Sequence, residues 1–303
     1  MVRVKFFIII LINRTLMRRF KGHVLIALAA ILWGSTSISI SYALMSGVDY
    51  LAIATITTSI GALFIGLYAG KEGFNIVRLD LIIYGALVIA TFRALYALSV
   101  LINGAGITAS LLYTAPLLVA LIAPLTIREK PSILDVLLAI IAVFGAYFSS
   151  NPELRITSVL GFLVGMALAT VYAITIIAIK YFYSKGYSKK EILIQSTIAA
   201  IPTLTLLTIV TESKVVLSYT ALLALLWGGI ISIGVALIIY MEGMKIVKAI
   251  EASVIATLEP VSALILASLI LGERYVLIQL IGIVLIMISA VIITVKDYIS
   301  HRL

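Results

Sequence analysis

Apolar residues run along this chain in long blocks broken by short polar interruptions. A helix needs about 20 apolar residues to cross the hydrocarbon of a bilayer. Blocks of about that length predict ten helices, at 23–44, 51–70, 79–101, 104–126, 132–150, 158–182, 190–211, 219–241, 249–271 and 275–295. The interruptions carry turn and charge signals, among them Ser46-Gly47-Val48-Asp49, Lys71-Glu72-Gly73, Asn103-Gly104-Ala105-Gly106, Arg128-Glu129-Lys130-Pro131 and Ser150-Asn151-Pro152-Glu153. None has room for a soluble domain, so whatever the protein does is expected to happen within the membrane. Ahead of the first block, residues 6–12 are apolar but too few to span. They lack a small-residue cleavage site and are followed by Arg14, Arg18 and Arg19, unlike a signal peptide. Two readings stand for them: a segment on the inner membrane surface, or sequence upstream of a natural start at Met17.

Composition agrees with the pattern. Hydrophobic residues make up 63% of the 303 residues and charged ones 12%, against roughly 45–50% and 25% in soluble domains; mean hydropathy is +1.24. Too few charges exist to cover a soluble surface. That excludes a soluble enzyme, a nucleic-acid-binding domain, a disordered chain and a secreted disulfide scaffold. Cysteine is absent, and the two histidines, His23 and His301, lie near the chain ends. Neither thiol nor imidazole chemistry is available deep in the predicted spans, and no metal or cofactor is expected.

Charge orients the spans. With ten crossings and the N-terminus in the cytoplasm, 18 of the 22 Lys and Arg fall on inner segments. Arg155, Lys214 and Arg274 fall outside, and Arg93 lies within a span. This is a strong positive-inside bias, predicting a multi-pass protein of the cell membrane with both termini cytoplasmic. The net charge of +9 is then a topology signal, and no nucleic-acid partner is expected.

The chain also repeats itself. Leu112-Tyr-Thr-Ala-Pro-Leu-Leu-Val-Ala-Leu-Ile, around Pro116, matches Ala256-Thr-Leu-Glu-Pro-Val-Ser-Ala-Leu-Ile-Leu, around Pro260, at an offset of 144 residues. Thirteen residues beyond each proline stands an acid–base pair, Glu129-Lys130 and Glu273-Arg274. Ala27-Leu28-Ala29 before Trp33 echoes Ala167-Leu168-Ala169 before Tyr172. Each half holds five spans, and an odd repeat unit must enter the membrane from opposite sides. The expected fold is an all-α integral membrane protein of ten transmembrane helices in two inverted five-helix repeats. Its expected parts are a basic cytoplasmic segment at 1–22, repeats at 23–150 and 158–295, and a cytoplasmic tail at 296–303. Inverted repeats of this kind serve alternating access in many secondary transporters, with sites near the midplane between the halves.

Trp33-Gly34-Ser35, the Pro116-to-Glu129 pattern, Leu258-Glu259-Pro260 and Leu271-Gly272-Glu273-Arg274, set in five-plus-five spans, resemble the drug/metabolite transporter superfamily of EamA type. The resemblance covers about residues 23–295; Arg128 departs from it, standing where the second half has Gly272. It implies a ten-helix carrier of small metabolites, often an exporter of amino acids.

Two charges fall deep in predicted spans, Arg93 in the third and Glu259 in the ninth. Each costs at least roughly 2.5–3.5 kcal/mol if it faces lipid, so each is expected to face a wet cavity or a partner. Arg93 offers a planar fork suited to a carboxylate or phosphate. Glu259 is open to three roles: partner of Arg93, ligand of a substrate amine, or carrier of a proton as coupling ion. Ser35, Ser39 and Tyr42 share a helical face, and with Trp33, Tyr96, Tyr113, Tyr172 and Tyr240 they complete the candidate lining. Pro116 and Pro260 are candidate helix breaks, and Glu129 and Glu273 candidate caps or gates. Gly161 and Gly165 form a small-residue packing face. The favoured function is a secondary transporter of small metabolites, amino-acid-like solutes or other small organic ions, an exporter working by alternating access between the inverted repeats. A lipid flippase or scramblase, or a channel, is the alternative; a membrane enzyme lacks the residue clusters it needs.

Overall fold

The computed structural model describes residues 2–150, 158–216, 218–271 and 275–300, and every regular element among them is helical. Among the described residues, nine helices are long and apolar enough to cross a membrane: Leu16–Met45, Tyr50–Phe74, Leu79–Leu112, Ile133–Ser150, Val159–Ser184, Lys189–Val210, Tyr219–Met244, Ala249–Leu266 and Leu277–Lys296. A shorter apolar helix covers Ala115–Thr126. A kink hides the tenth crossing. Gly104 has φ 73°, outside the helical region, and across it the hydroxyls of Ser99 and Thr108 lie 2.9 Å apart. Nine residues of straight helix would separate them by about 13.5 Å, so the chain reverses at Gly104. Residues 79–103 are the third span; 105–112 and Ala115–Thr126 together make the fourth. The apolar run at 6–12 is part of one continuous helix, Val2–Trp33.

Apolar side chains cover the outside as well as the inside. Leu67, Leu125 and Ile133 expose 87%, 86% and 82% of their surface, the pattern of a bundle solvated by lipid tails rather than water.

Contacts between spans respect an exchange of halves. The second span packs on the seventh and the fifth on the tenth, each pair its own counterpart. The second also meets the eighth as the third meets the seventh, and the first meets the ninth as the fourth meets the sixth. The halves are thus interleaved, and the central space has walls from both. The fifth and tenth spans approach closely at glycine: a Cβ on Gly282 would lie 2.6 Å from the Gly145 carbonyl oxygen and 2.3 Å from the Ser149 nitrogen.

Three spans are broken. The first divides into Val2–Trp33 and Thr36–Met45, the fourth at Tyr113 and Thr114, and the ninth into Ala249–Ala256 and Leu258–Leu271. Pro116 and Pro260 sit in the first turn of the half-helix after each break, where the missing N–H has no intrahelical partner to lose. The third and eighth spans carry π-helical stretches, Gly85–Ile89 and Gly228–Ala236. Gly85 and Gly229 stand at the repeat offset of 144 residues. Each admits a neighbouring backbone or side chain: a Cβ on Gly85 would meet the Ser196 carbonyl oxygen at 2.2 Å, and one on Gly229 would meet Ile60 at 2.5 Å.

The loops after the second, fourth, sixth and eighth spans share one polar face with Arg19, His23 and Lys296. Its centre is Glu251, fully buried, which accepts from Arg19 at 2.7 and 3.0 Å and lies 2.9 Å from Lys296. Its Oε2 also lies 3.2 Å from Nε2 of His23. Lys296 donates in turn to Asp135. At the rim Tyr187 donates to Asp80 at 2.9 Å, a bond that pushes the tyrosine hydroxyl above its usual range.

Candidate functional site

The broken spans and the π stretches border a cavity of about 100 Å³ with walls from both halves. One water needs roughly 10–15 Å³ on the same measure, so the space admits several waters or a small solute. Most of the wall is apolar, from residues such as Ile53, Phe92, Ile176 and Ile233. Arg93 and Glu259 are its two charged members.

Glu259 and Arg93 share the cavity without pairing. Both carboxylate oxygens of Glu259 are occupied by phenols: Tyr96 donates to Oε1 at 3.0 Å and Tyr113 to Oε2 at 2.5 Å. The half-helix break at Tyr113 and the turn at Thr257 bring Tyr113 and Glu259 together from the two repeat-related spans, and Tyr96 reaches them from the third. Arg93 lies over the Phe92 ring at 5.6 Å. Its Nε is buried without a hydrogen-bond partner, and it forms no ion pair among the described residues. The hydroxyls of Tyr84, Tyr172 and Tyr240 are likewise buried and unpartnered.

An aromatic frame holds these groups. Trp33 packs on Tyr240 with centroids 4.9 Å apart, and its indole N–H donates to the Ser232 carbonyl in the π stretch at 3.0 Å. Phe92 stacks on Tyr172 at 5.6 Å, and Tyr113 meets the same ring edge-on at 6.4 Å. Thr36 and Ser232 join the first and eighth spans through a 2.7 Å hydroxyl contact.

Of the residues singled out in the sequence, Trp33, Arg93, Tyr96, Tyr172, Tyr240 and Glu259 line the cavity, and Tyr113 stands just behind Glu259. Ser35, Ser39 and Tyr42 stand apart from it. Ser35 accepts from Trp227 at 2.7 Å, Ser39 donates to the Ala224 carbonyl at 2.6 Å, and Tyr42 is exposed. Thr36 and Ile40, three and seven residues beyond Trp33, share its helical face and line the cavity instead. Glu129 is remote from it, capping the helix at Ala249 by accepting its N–H at 2.6 Å and lying 3.4 Å from Lys180. Glu273 lies outside the described residues. Gly161 and Gly165 pack against the reversal: Cβ atoms there would lie 2.1 Å from Asn103 Oδ1 and 2.2 Å from Leu111. Sequence reasoning missed Thr36, Thr57, Tyr84, Thr175, Ser196, Thr197 and Ser232 in the wall. Single hydroxyls inside apolar runs carry no pattern of their own.

Comparison with known proteins agrees with this architecture. The profile of the EamA-like transporter family matches residues 20–151 and again 159–295. An uncharacterized transporter of Clostridium kluyveri is 26% identical over 293 residues, covering 90% of this chain and 92% of its own. A solved crystal structure superposes with a TM-score of 0.78 at 19% identity, covering 91% of this chain and 97% of the other, which speaks to the fold. Two family matches, one on each five-span half, identify the chain as a member of the EamA-like transporter family of the drug/metabolite transporter superfamily, a multi-pass membrane transporter.

Proposed function

We propose that this transporter is a secondary carrier that exports amino-acid-like solutes or other small organic ions across the cell membrane. It works by alternating access between inverted repeats at 23–150 and 158–295, with both termini cytoplasmic. The observation that carries this reading is the small cavity shared by both halves, in which apolar and aromatic walls surround Arg93 and Glu259. A repeat pair interleaved around one site can exchange which side it opens to. Glu259 is the group on which a coupling proton rides, since it makes no pair with Arg93 and its neighbours are hydroxyls.

Several negatively charged groups on one cargo would want more than one cation, and Arg93 is the single base in the wall among the described residues. That favours amino-acid-like solutes and small organic ions over nucleotide sugars. Proteoliposomes preloaded with unlabelled solute provide the test: uptake of labelled amino acids or small organic ions should be accelerated by solute on the opposite side. Transport of a nucleotide sugar that amino acids fail to compete with overturns the substrate reading. Phospholipid scrambling without solute uptake overturns the carrier reading.

A further inference from the structure

The two charges of the cavity are not equivalent. Glu259 is engaged at both oxygens, by Tyr96 and Tyr113. Arg93 has no carboxylate partner among the described residues, and its buried Nε has no acceptor. A guanidinium at membrane depth without a counter-ion is costly, and such groups pair or face a functional cavity. The hydroxyls of Tyr84, Tyr172 and Tyr240 in the same wall lack a well-formed hydrogen bond, and each can donate to a ligand. Each of these tyrosines is nine-tenths or more buried. The cavity is therefore rich in free donors, while its one anion is already satisfied. The complementary ligand is an acceptor with negative charge, and a carboxylate matches the planar fork of arginine in two parallel bonds. The rest of the wall, with Phe92 and Trp33, suits an apolar body.

We infer that the cavity recognises its cargo by a carboxylate held by Arg93, with the amine dispensable. The cargo is then a small organic anion with an apolar or aromatic body. The inference rests on the cavity being the transport site, and deepens that reading.

The test measures ligand binding to the purified full chain in detergent with two series of probes. One is phenylalanine, 3-phenylpropionate and phenethylamine; the other is leucine, 4-methylpentanoate and isopentylamine. Binding of at least one amino acid should be matched by its des-amino acid, while neither amine binds. Loss of a charge-assisted bidentate contact should weaken acid binding by at least ~10-fold in Arg93→Gln, with Arg93→Lys intermediate. Arg93→Gln should melt no lower than the wild type, because the charge it removes has no carboxylate partner among the described residues. The assignment is overturned if an amine binds as well as its acid, if Arg93→Gln binds the acid unchanged, or if none of the six probes binds. A lower melting temperature in both Arg93 variants also overturns it, by marking Arg93 as structural. Arg93-dependent acid binding without uptake in proteoliposomes would instead sink the transport reading and leave the recognition intact. Uptake of amines indifferent to Arg93 would do the reverse.

Discussion

Glu251→Gln is a direct probe of the polar face. The Glu251 carboxylate is wholly buried and surrounded by donors: Arg19 at 2.7 and 3.0 Å, His23 at 3.2 Å, Lys296 at 2.9 Å and the Lys248 backbone N–H at 3.1 Å. Glutamine keeps the size, removes the charge and turns one acceptor into a donor facing other donors. Breaking a buried ion pair by changing one partner costs about 3–5 kcal/mol. Lys296 retains Asp135, which places the expectation at the lower end, about 3 kcal/mol. At about 2 °C per kcal/mol for a large domain, the midpoint should fall by roughly 6 °C. The control is Glu72→Gln, whose side chain is 72% exposed and pairs with Lys190 at 2.8 Å; exposed pairs contribute ~0–1 kcal/mol. Both are measured as the temperature at which half the protein is lost from its gel-filtration peak after heating in detergent. If Glu251→Gln melts within about 2 °C of the wild type, as the control should, the charge network does not hold this face together.

Gly282→Ala should lower the melting temperature by the equivalent of about 1–3 kcal/mol, since the fifth and tenth helices must part to admit a Cβ. Gly104→Ala should cost about 1–3 kcal/mol from backbone strain, because no atom lies within 4 Å of its would-be Cβ; Asn should bring no relief, since ψ 170° lies outside the left-handed helical well, and a melting temperature unchanged by Ala refutes the strain argument. Glu259→Gln should insert and fold normally yet lose transport driven by a pH gradient while keeping exchange at equal pH; wild-type pH dependence in a stable mutant rules out the proton role. A reporter fused after Leu303 should read as cytoplasmic, and an external reading sinks the predicted orientation.

The spans and their repetition were legible because lipid demands apolar length and because Pro116 and Pro260 begin half-helices at matching places. Arg93 and Glu259 stood out because charge inside a long apolar run has few explanations. What they touch was not legible: Glu259 bonds to Tyr96 and Tyr113 rather than to Arg93, and that depends on where the fourth and ninth spans break. Ser35, Ser39 and Tyr42 do share a helical face, but it lies opposite Trp33, and the cavity is lined from the face of Trp33, Thr36 and Ile40. Glu251 stands near the start of the predicted ninth span, and nothing in the sequence joins it to Arg19, His23 and Lys296, which lie far from it along the chain. The reversal at Gly104 followed from its flanking glycine, whereas the π stretches left only Gly85 and Gly229 as a trace.

A π turn holds one residue more than an α-helix needs between the same two ends. In Gly85–Ile89 that surplus sits inside a membrane crossing. Deleting a single residue there closes the turn into ordinary α geometry and leaves Tyr84 on one side, and Phe92 and Arg93 on the other, aimed as before. The same deletion a few residues further along would swing every side chain beyond it by about 100°, carrying Tyr96 away from Glu259. Chain length inside a lipid-spanning helix is ordinarily fixed by the faces it must present. Here the third span carries a spare residue, and insertions or deletions among descendants of this gene should collect at that turn.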